Sequence, residues 1–163
     1  MPLFTSSSTP EAHLVNEPAF SVIGLTAKTS NEAEMSGSGG GLGPLWRNFM
    51  AETDQLLPGD PDRSTIFCVY TDYESDENGA YKVILGRSVI DANVSVPHGL
   101  ERIDIDGSQY LVFHALDRNP ESVREAWSRV HSYFRNNANQ RRAFTIDFDR
   151  YGPNGVDLYV AIR

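Results

Sequence analysis

Two stretches of this chain carry one pattern, and the repetition constrains the fold more than any other feature. Val69-Tyr70-Thr71-Asp72-Tyr73 is an aromatic strand that leads to Asn78-Gly79 and then to a second strand, Tyr81-Lys82-Val83-Ile84-Leu85. Asp147-Phe148-Asp149-Arg150-Tyr151 leads in the same way to Asn154-Gly155 and to Val156-Asp157-Leu158-Tyr159-Val160-Ala161-Ile162. Asn-Gly between such runs signals a hairpin, because both residues tolerate the positive φ that tight turns need. Trp46 and Trp127 stand upstream by similar distances, each within helical periodicity. A unit of strand, helix and hairpin that occurs twice predicts an α+β fold. Two such modules packed together leave a groove between them.

Residues 1–17 are polar and contain proline, which suits a loose tail or an early edge strand. The single domain is expected over 18–163, with halves of about 18–105 and 106–163. The first strand is expected over 20–27, and the glycine-rich stretch 30–43 reads as a flexible loop. Helix one is expected to start at Pro44, to bury Trp46, Phe49, Met50, Thr53 and Leu57 on one face, and to stop at Pro58-Gly59. Strands at about 65–73 and 80–87 follow, then a short strand carrying Ile103 and Ile105, and a strand at 109–115. Asn119-Pro120 opens helix two, whose Val123, Trp127, Val130 and Phe134 form an apolar stripe up to Asn136-Asn137. Strands at about 142–151 and 155–162 close the domain.

Alternation along a strand sets residues 145, 147, 149 and 151 on one face and Phe144, Ile146 and Phe148 on the other. Asp147 and Asp149 therefore stand beside Tyr151. A carboxylate held against aromatic surface loses hydration worth several kcal/mol and keeps its charge only if a cation or donors approach. The repeat breaks here: with Tyr73 set against Tyr151, Asp149 falls opposite Thr71, so the acid occurs in one half alone. Alternation leaves open whether the acids or Phe148 face the helices.

The net charge of −8 and a pI near 4.9 argue against a nucleic-acid partner, whose phosphates need Lys and Arg. Cys68, the single cysteine, sits in an apolar run and reads as a buried small hydrophobe. The start of the chain has no secretory pattern and no run is long enough to span a bilayer, which predicts a soluble cytoplasmic protein of bacterial type without a membrane partner. The histidines are scattered without metal-ligand spacing, the glycine run lacks the lysine of a phosphate loop, and Glu77 stands where a calcium loop needs glycine. No cofactor or metal is expected.

Leu45-Trp46-Arg47-Asn48-Phe49, Val69-Tyr70-Thr71-Asp72-Tyr73-Glu74-Ser75, Gly79-Ala80-Tyr81 and Asp147-Phe148-Asp149-Arg150-Tyr151 with the closing strand resemble the GyrI-like effector-binding domain. This is the ligand module of AraC-type and multidrug-responsive bacterial regulators, with stand-alone members in mobile integron cassettes. The resemblance covers about 18–163. It implies an α+β fold of two pseudo-symmetric βαββ modules, with an antiparallel sheet, two main helices and a groove between them that receives hydrophobic, often cationic molecules, and a binding acid, Glu in the family, after a Phe in the first strand of the last hairpin. Phe148-Asp149 matches that position with an acid one methylene shorter.

The expected function is therefore reversible binding of amphipathic organic cations, not catalysis. Asp149 is the expected counter-ion and Asp147 shares its charge, with Trp46, Phe49, Tyr70, Tyr73, Trp127, Phe148 and Tyr151 as walls. The alternatives are a partner-binding module, like a gyrase inhibitor or serving a separate transcription regulator, and a small hydrolase of electrophiles that uses Asp149 and Tyr151 for acid–base work.

Overall fold

The structure, a computed structural model, describes residues 12–36, 40–57 and 65–163. The expected helix stop at Pro58-Gly59, the centre of the glycine run and residues 1–11 of the tail lie outside the described residues. Eight strands form one sheet: β1 (His13–Glu17), β2 (Phe20–Ser30), β3 (Ile66–Thr71), β4 (Ala80–Val89), β5 (Glu101–Ile105), β6 (Ser108–Ala115), β7 (Asp147–Gly152) and β8 (Gly155–Ala161). The helices are α1 (Asn31–Met35), α2 (Leu42–Asn48) and α3 (Pro120–Asn136).

The sheet order is β1-β6-β8-β7-β3-β4-β2-β5, and its ladders are antiparallel. The two hairpins, β3-β4 and β7-β8, meet at the centre through β3 and β7. Outside them the edges are exchanged: β1 pairs with β6 of the second half, and β5 pairs with β2 of the first. Residues 13–17 thus take the edge-strand form. β5 does for the second half what β1 does for the first, so the boundary expected near 105 moves ahead of Glu101.

These exchanged edges bend the sheet. Two residues link β1 to β2, and two link β5 to β6, yet each pair lies six places apart in the order. Six inter-strand steps in a flat sheet would span roughly 29 Å. Three Cα steps reach only about 11 Å. The sheet must curl until its two ends meet, and the linkers touch where they do: a Cβ on Gly107 would lie 3.4 Å from both Ala19 N and Glu17 O. Inside the curl, Val22, Phe67, Val69, Ile84, Ile105, Tyr110, Phe148 and Tyr159 make one core. Phe20 of β2 lies 5.1 Å, ring to ring, from Phe148 of β7, three places away in the order.

The helices cover the other face. Ile23, Cys68, Tyr70, Val83, Leu85, Leu111, Phe113, Leu158 and Val160 of the sheet meet Leu45 and Phe49 on one side and Val123, Ala126 and Val130 of α3 on the other. Asn119 caps α3 by accepting the Glu121 N–H at 3.0 Å, ahead of Pro120, as its sequence implies. The first helical segment departs from expectation. α2 begins at Leu42, two residues early, and continues as a π-helical turn (Phe49–Thr53) and a 3₁₀ turn (Asp54–Leu56). Leu45, Phe49, Thr53 and Leu57 are the buried residues, spaced by four, and Met50 is exposed. A series spaced by four keeps to one face only where the helix has more than the usual 3.6 residues per turn, which the π turn supplies. Arg87 holds the far end, donating from Nε and Nη2 to Asp54 at 2.5 and 3.0 Å. Within the expected 30–43 loop, Asn31–Met35 forms the short α1, capped by the Ser30 hydroxyl.

β2 and β4 cross closely at a glycine pair. Gly24 and Gly86 are register partners, and a Cβ on Gly86 would lie 1.9 Å from Ile23 O. Gly86→Ala is expected to cost about 3 kcal/mol of stability, read as a lower urea midpoint.

Candidate ligand-binding site

The seam between β3 and β7 lies under the space between α2 and α3. Its register sets Cys68 opposite Asp149 and Tyr70 opposite Asp147, and partners in register share a face. That face is the helix face, which settles the orientation the alternation left open. Asp147 and Asp149 are both fully buried there.

Asp149 is surrounded by neutral donors. The Tyr70 hydroxyl donates to Oδ2 at 2.5 Å, and the Trp127 indole N–H donates to Oδ1 at 3.1 Å and Oδ2 at 3.3 Å. Asp147 has a cation. Its Oδ2 accepts from Arg142 Nη2 at 2.7 Å and from the Tyr73 hydroxyl, and its Oδ1 accepts the Ala161 N–H at 2.8 Å. Each acid is thus hydrogen-bonded, as burial requires, but only Asp147 has its charge matched.

Rings fill the remaining space. Trp46 of α2 packs edge-on against Tyr151 at 4.8 Å and against Phe49 at 6.5 Å. From the α3 side, Trp127 meets Tyr70 at 5.4 Å. Tyr70, Tyr81, Tyr73 and Phe144 continue the series at 5.7, 5.8 and 5.7 Å. Eight of the nine residues singled out from sequence are therefore brought to one face: Asp147, Asp149, Trp46, Phe49, Tyr70, Tyr73, Trp127 and Tyr151. Phe148 is the exception. The pleat turns it inside the curl, stacked on Tyr159 at 4.4 Å, and it lines a separate shallow concavity of about 300 Å³ with Phe20, Phe67 and Arg150. The hydrogen bonds of Asp149 run to Tyr70 and Trp127, while Tyr151 lies against Trp46.

Three site residues were not anticipated. Tyr81 stood in a strand and in one of the resemblance motifs but was not singled out as a wall. Alternation sets Phe144 on the face of Phe148 and leaves Arg142 unplaced, yet both sit with Asp147. The reason is a backbone departure: Phe144 has φ of 53°, a left-handed conformation costing a bulky residue about 1–2 kcal/mol. It reverses the side-chain parity ahead of it, so Ala143 packs inside the curl, while Ile146 keeps the face of Phe148 that alternation gives it. The repeat alignment also shifts. β3 and β7 are both six residues long, and aligning their ends sets Cys68 against Asp149 and Tyr70 against Tyr151. The acid still occurs in one half only, with Cys68 as its counterpart.

Among the described residues no group of His, Cys, Asp and Glu is arranged to hold a metal, and no helix is long and apolar enough to cross a membrane.

A family model described as Cass2, integron-associated effector binding protein, matches residues 13–162. The solved structure of the integron cassette protein VCH_CASS2 from the Vibrio cholerae mobile metagenome is similar over 94% of this chain and 97% of its own, with 27% identity and a TM-score of 0.79. YobU of Bacillus subtilis, named among transcriptional regulators, is 27% identical over 161 residues, covering 93% of this chain and 98% of its own length. SAV2435, solved bound to tetraphenylphosphonium, shares the fold over 94% of each chain at a TM-score of 0.66 and 15% identity.

Burial lifts the Asp149 carboxyl from 3.8 to about 7, with Asp147 adding to the rise and the Tyr70 and Trp127 hydrogen bonds opposing it. Between those two values the folded state binds more protons than the unfolded chain, so this group's contribution to stability falls as pH rises from about 4 to about 7 and is level beyond. Asp149→Asn removes that slope. Relative to wild type, the variant is expected to gain on the order of 2–4 kcal/mol between pH 4 and 8, followed by urea unfolding. His131, held below its usual value by burial and by Arg142, slopes the other way in both proteins and cancels in the difference.

Proposed function

The chain belongs to the integron-associated effector-binding family, and on that premise we propose that it reversibly binds amphipathic organic cations between α2 and α3, with Asp149 as the counter-ion. One observation carries the reading: of two fully buried acids, Asp147 is neutralised by Arg142 and Asp149 meets only neutral donors. Such a carboxylate has two ways to balance its burial. It takes up a proton near neutral pH, or it takes up a cation from outside. Trp46, Phe49, Tyr70, Tyr73, Trp127 and Tyr151 supply ring faces for a lipophilic guest, and a desolvated ring face attracts a cation by up to about 2 kcal/mol. Tetraphenylphosphonium bound to SAV2435, which shares the fold, supports this guest class.

In the closed form Asp149 is wholly shielded, so a guest must part the indoles of Trp46 and Trp127 from the sheet and select an opened state. The π turn at Phe49 is a local irregularity beside that opening, and such turns often mark functional sites. Recognition by rings and one charge favours sign and shape class over particular substituents.

Titration of tryptophan fluorescence with tetraphenylphosphonium tests the reading. Wild type is expected to bind at least tenfold more tightly than Asp149→Asn, about 1.4 kcal/mol. The affinity is expected to weaken as pH falls below about 7, where a proton competes for the carboxylate. Triphenylphosphine oxide, neutral and similarly shaped, should bind both proteins alike. Equal wild-type affinity for the cation and the neutral compound would remove the counter-ion role.

A further inference from the structure

Arg142 enters the site from the segment between α3 and β7. Its backbone is pinned to the end of β8 by an antiparallel bridge to Ile162, and the neighbouring bonds run from Ala143 N–H to Ala161 O at 2.9 Å and from Arg163 N–H to Arg141 O at 3.1 Å. The side chain leaves this anchor and goes inward, with 7% of the residue exposed. Its guanidinium carbon lies 4.3 Å from the ring centre of Phe144, 5.7 Å from Trp127 and 5.8 Å from Tyr73. The carboxylate of Asp147 closes the remaining side.

Three rings and a carboxylate around one planar cation are the elements of a cation-recognition site. The way Arg142 sits in it is revealing. Arg87, which fastens a helix end to the sheet, grips Asp54 through Nε and Nη2 together. Arg142 meets Asp147 through Nη2, and its buried Nε has no hydrogen-bond partner. An orphaned buried donor is costly, and it marks a cation that fills the site without satisfying it.

We propose that Tyr73, Trp127, Phe144 and Asp147 form a second cation site beside Asp149, that Arg142 is its tethered occupant, and that planar guanidinium or amidinium cations take its place when that side chain is withdrawn. Trp127 is the shared wall, since its ring faces Arg142 while its N–H donates to Asp149. The backbone anchor lets the side chain swing out without unpairing β8. This second site stands on its own geometry; only its coupling to a guest at Asp149 rests on the function proposed above.

Arg142→Ala empties the site, and millimolar methylguanidinium is the probe. The expected result is a saturable change in tryptophan emission and a rise in melting temperature of at least about 2 °C in Arg142→Ala. Wild type, whose site is filled, and Arg142→Ala/Asp147→Asn, which lacks the carboxylate, should show neither beyond a potassium chloride control. If Arg142→Ala does not fold alone, refolding in millimolar methylguanidinium decides: dose-dependent recovery of native emission supports the site, and no recovery overturns it. A response that is absent, or that persists in the double variant, overturns the second site whatever tetraphenylphosphonium does at Asp149. The counter-ion role fails separately, through its own titration.

Discussion

When β3 pairs with β7, two modules that could each bury only part of their apolar surface become one domain with a continuous sheet. The same pairing places Cys68, Tyr70, Asp147, Asp149 and Tyr151 in a single patch, because partners in an antiparallel ladder show their side chains to the same side. α2 and α3 belong to different modules and flank this seam without covering it alone. The site therefore exists because of the joint. Neither module supplies it: Tyr70, Tyr73 and Trp46 come from one half, and both acids, Trp127 and Tyr151 from the other.

The two acids show how neighbouring positions on one strand acquire different chemistry. Both are fully buried and both accept a tyrosine hydroxyl. Asp147 also receives a guanidinium and a backbone N–H, so its charge is matched from within the chain. Asp149 receives an indole N–H in place of a cation. A few ångströms of strand thus separate an acid matched by the chain's own cation from one left to be balanced by proton or guest, the sort of perturbed titrating group that concentrates at functional sites.

Much of this was legible in the residues, for identifiable reasons. The two-residue period placed both acids with Tyr151, the helical period placed Trp127 on the inward side of α3, and Asn119-Pro120 marked where that helix starts. Each is a local rule that tertiary structure did not override. The errors share a cause as well. Phe148 was expected among the walls because alternation left open which face meets the helices, although it set Phe148 opposite the acids. Phe144 was set on the wrong face because the period was extended through its own positive φ, which aromatic identity does not announce, and Arg142 beyond it was not singled out at all. Met50 was expected to be buried because a uniform α-helix was assumed where a π turn changes the spacing. The curl of the sheet was invisible for a different reason: it follows from which strands exchange edges, a long-range choice that no local pattern encodes.

The exchanged edges carry an implication for ancestry. Since β1 completes the far half and β5 completes the near one, two separate copies of a single half could satisfy the same eight-strand order by swapping their first strands. In such a twofold-symmetric pair, the positions now held by Cys68 and Asp149 would carry identical residues facing each other across the ladder, only about 5 Å apart. An acid there would meet its own twin, and the repulsion would drive one of them to hold its proton. Fusion into one polypeptide lifts that restriction, because a thiol can stand where symmetry would demand a second carboxylate.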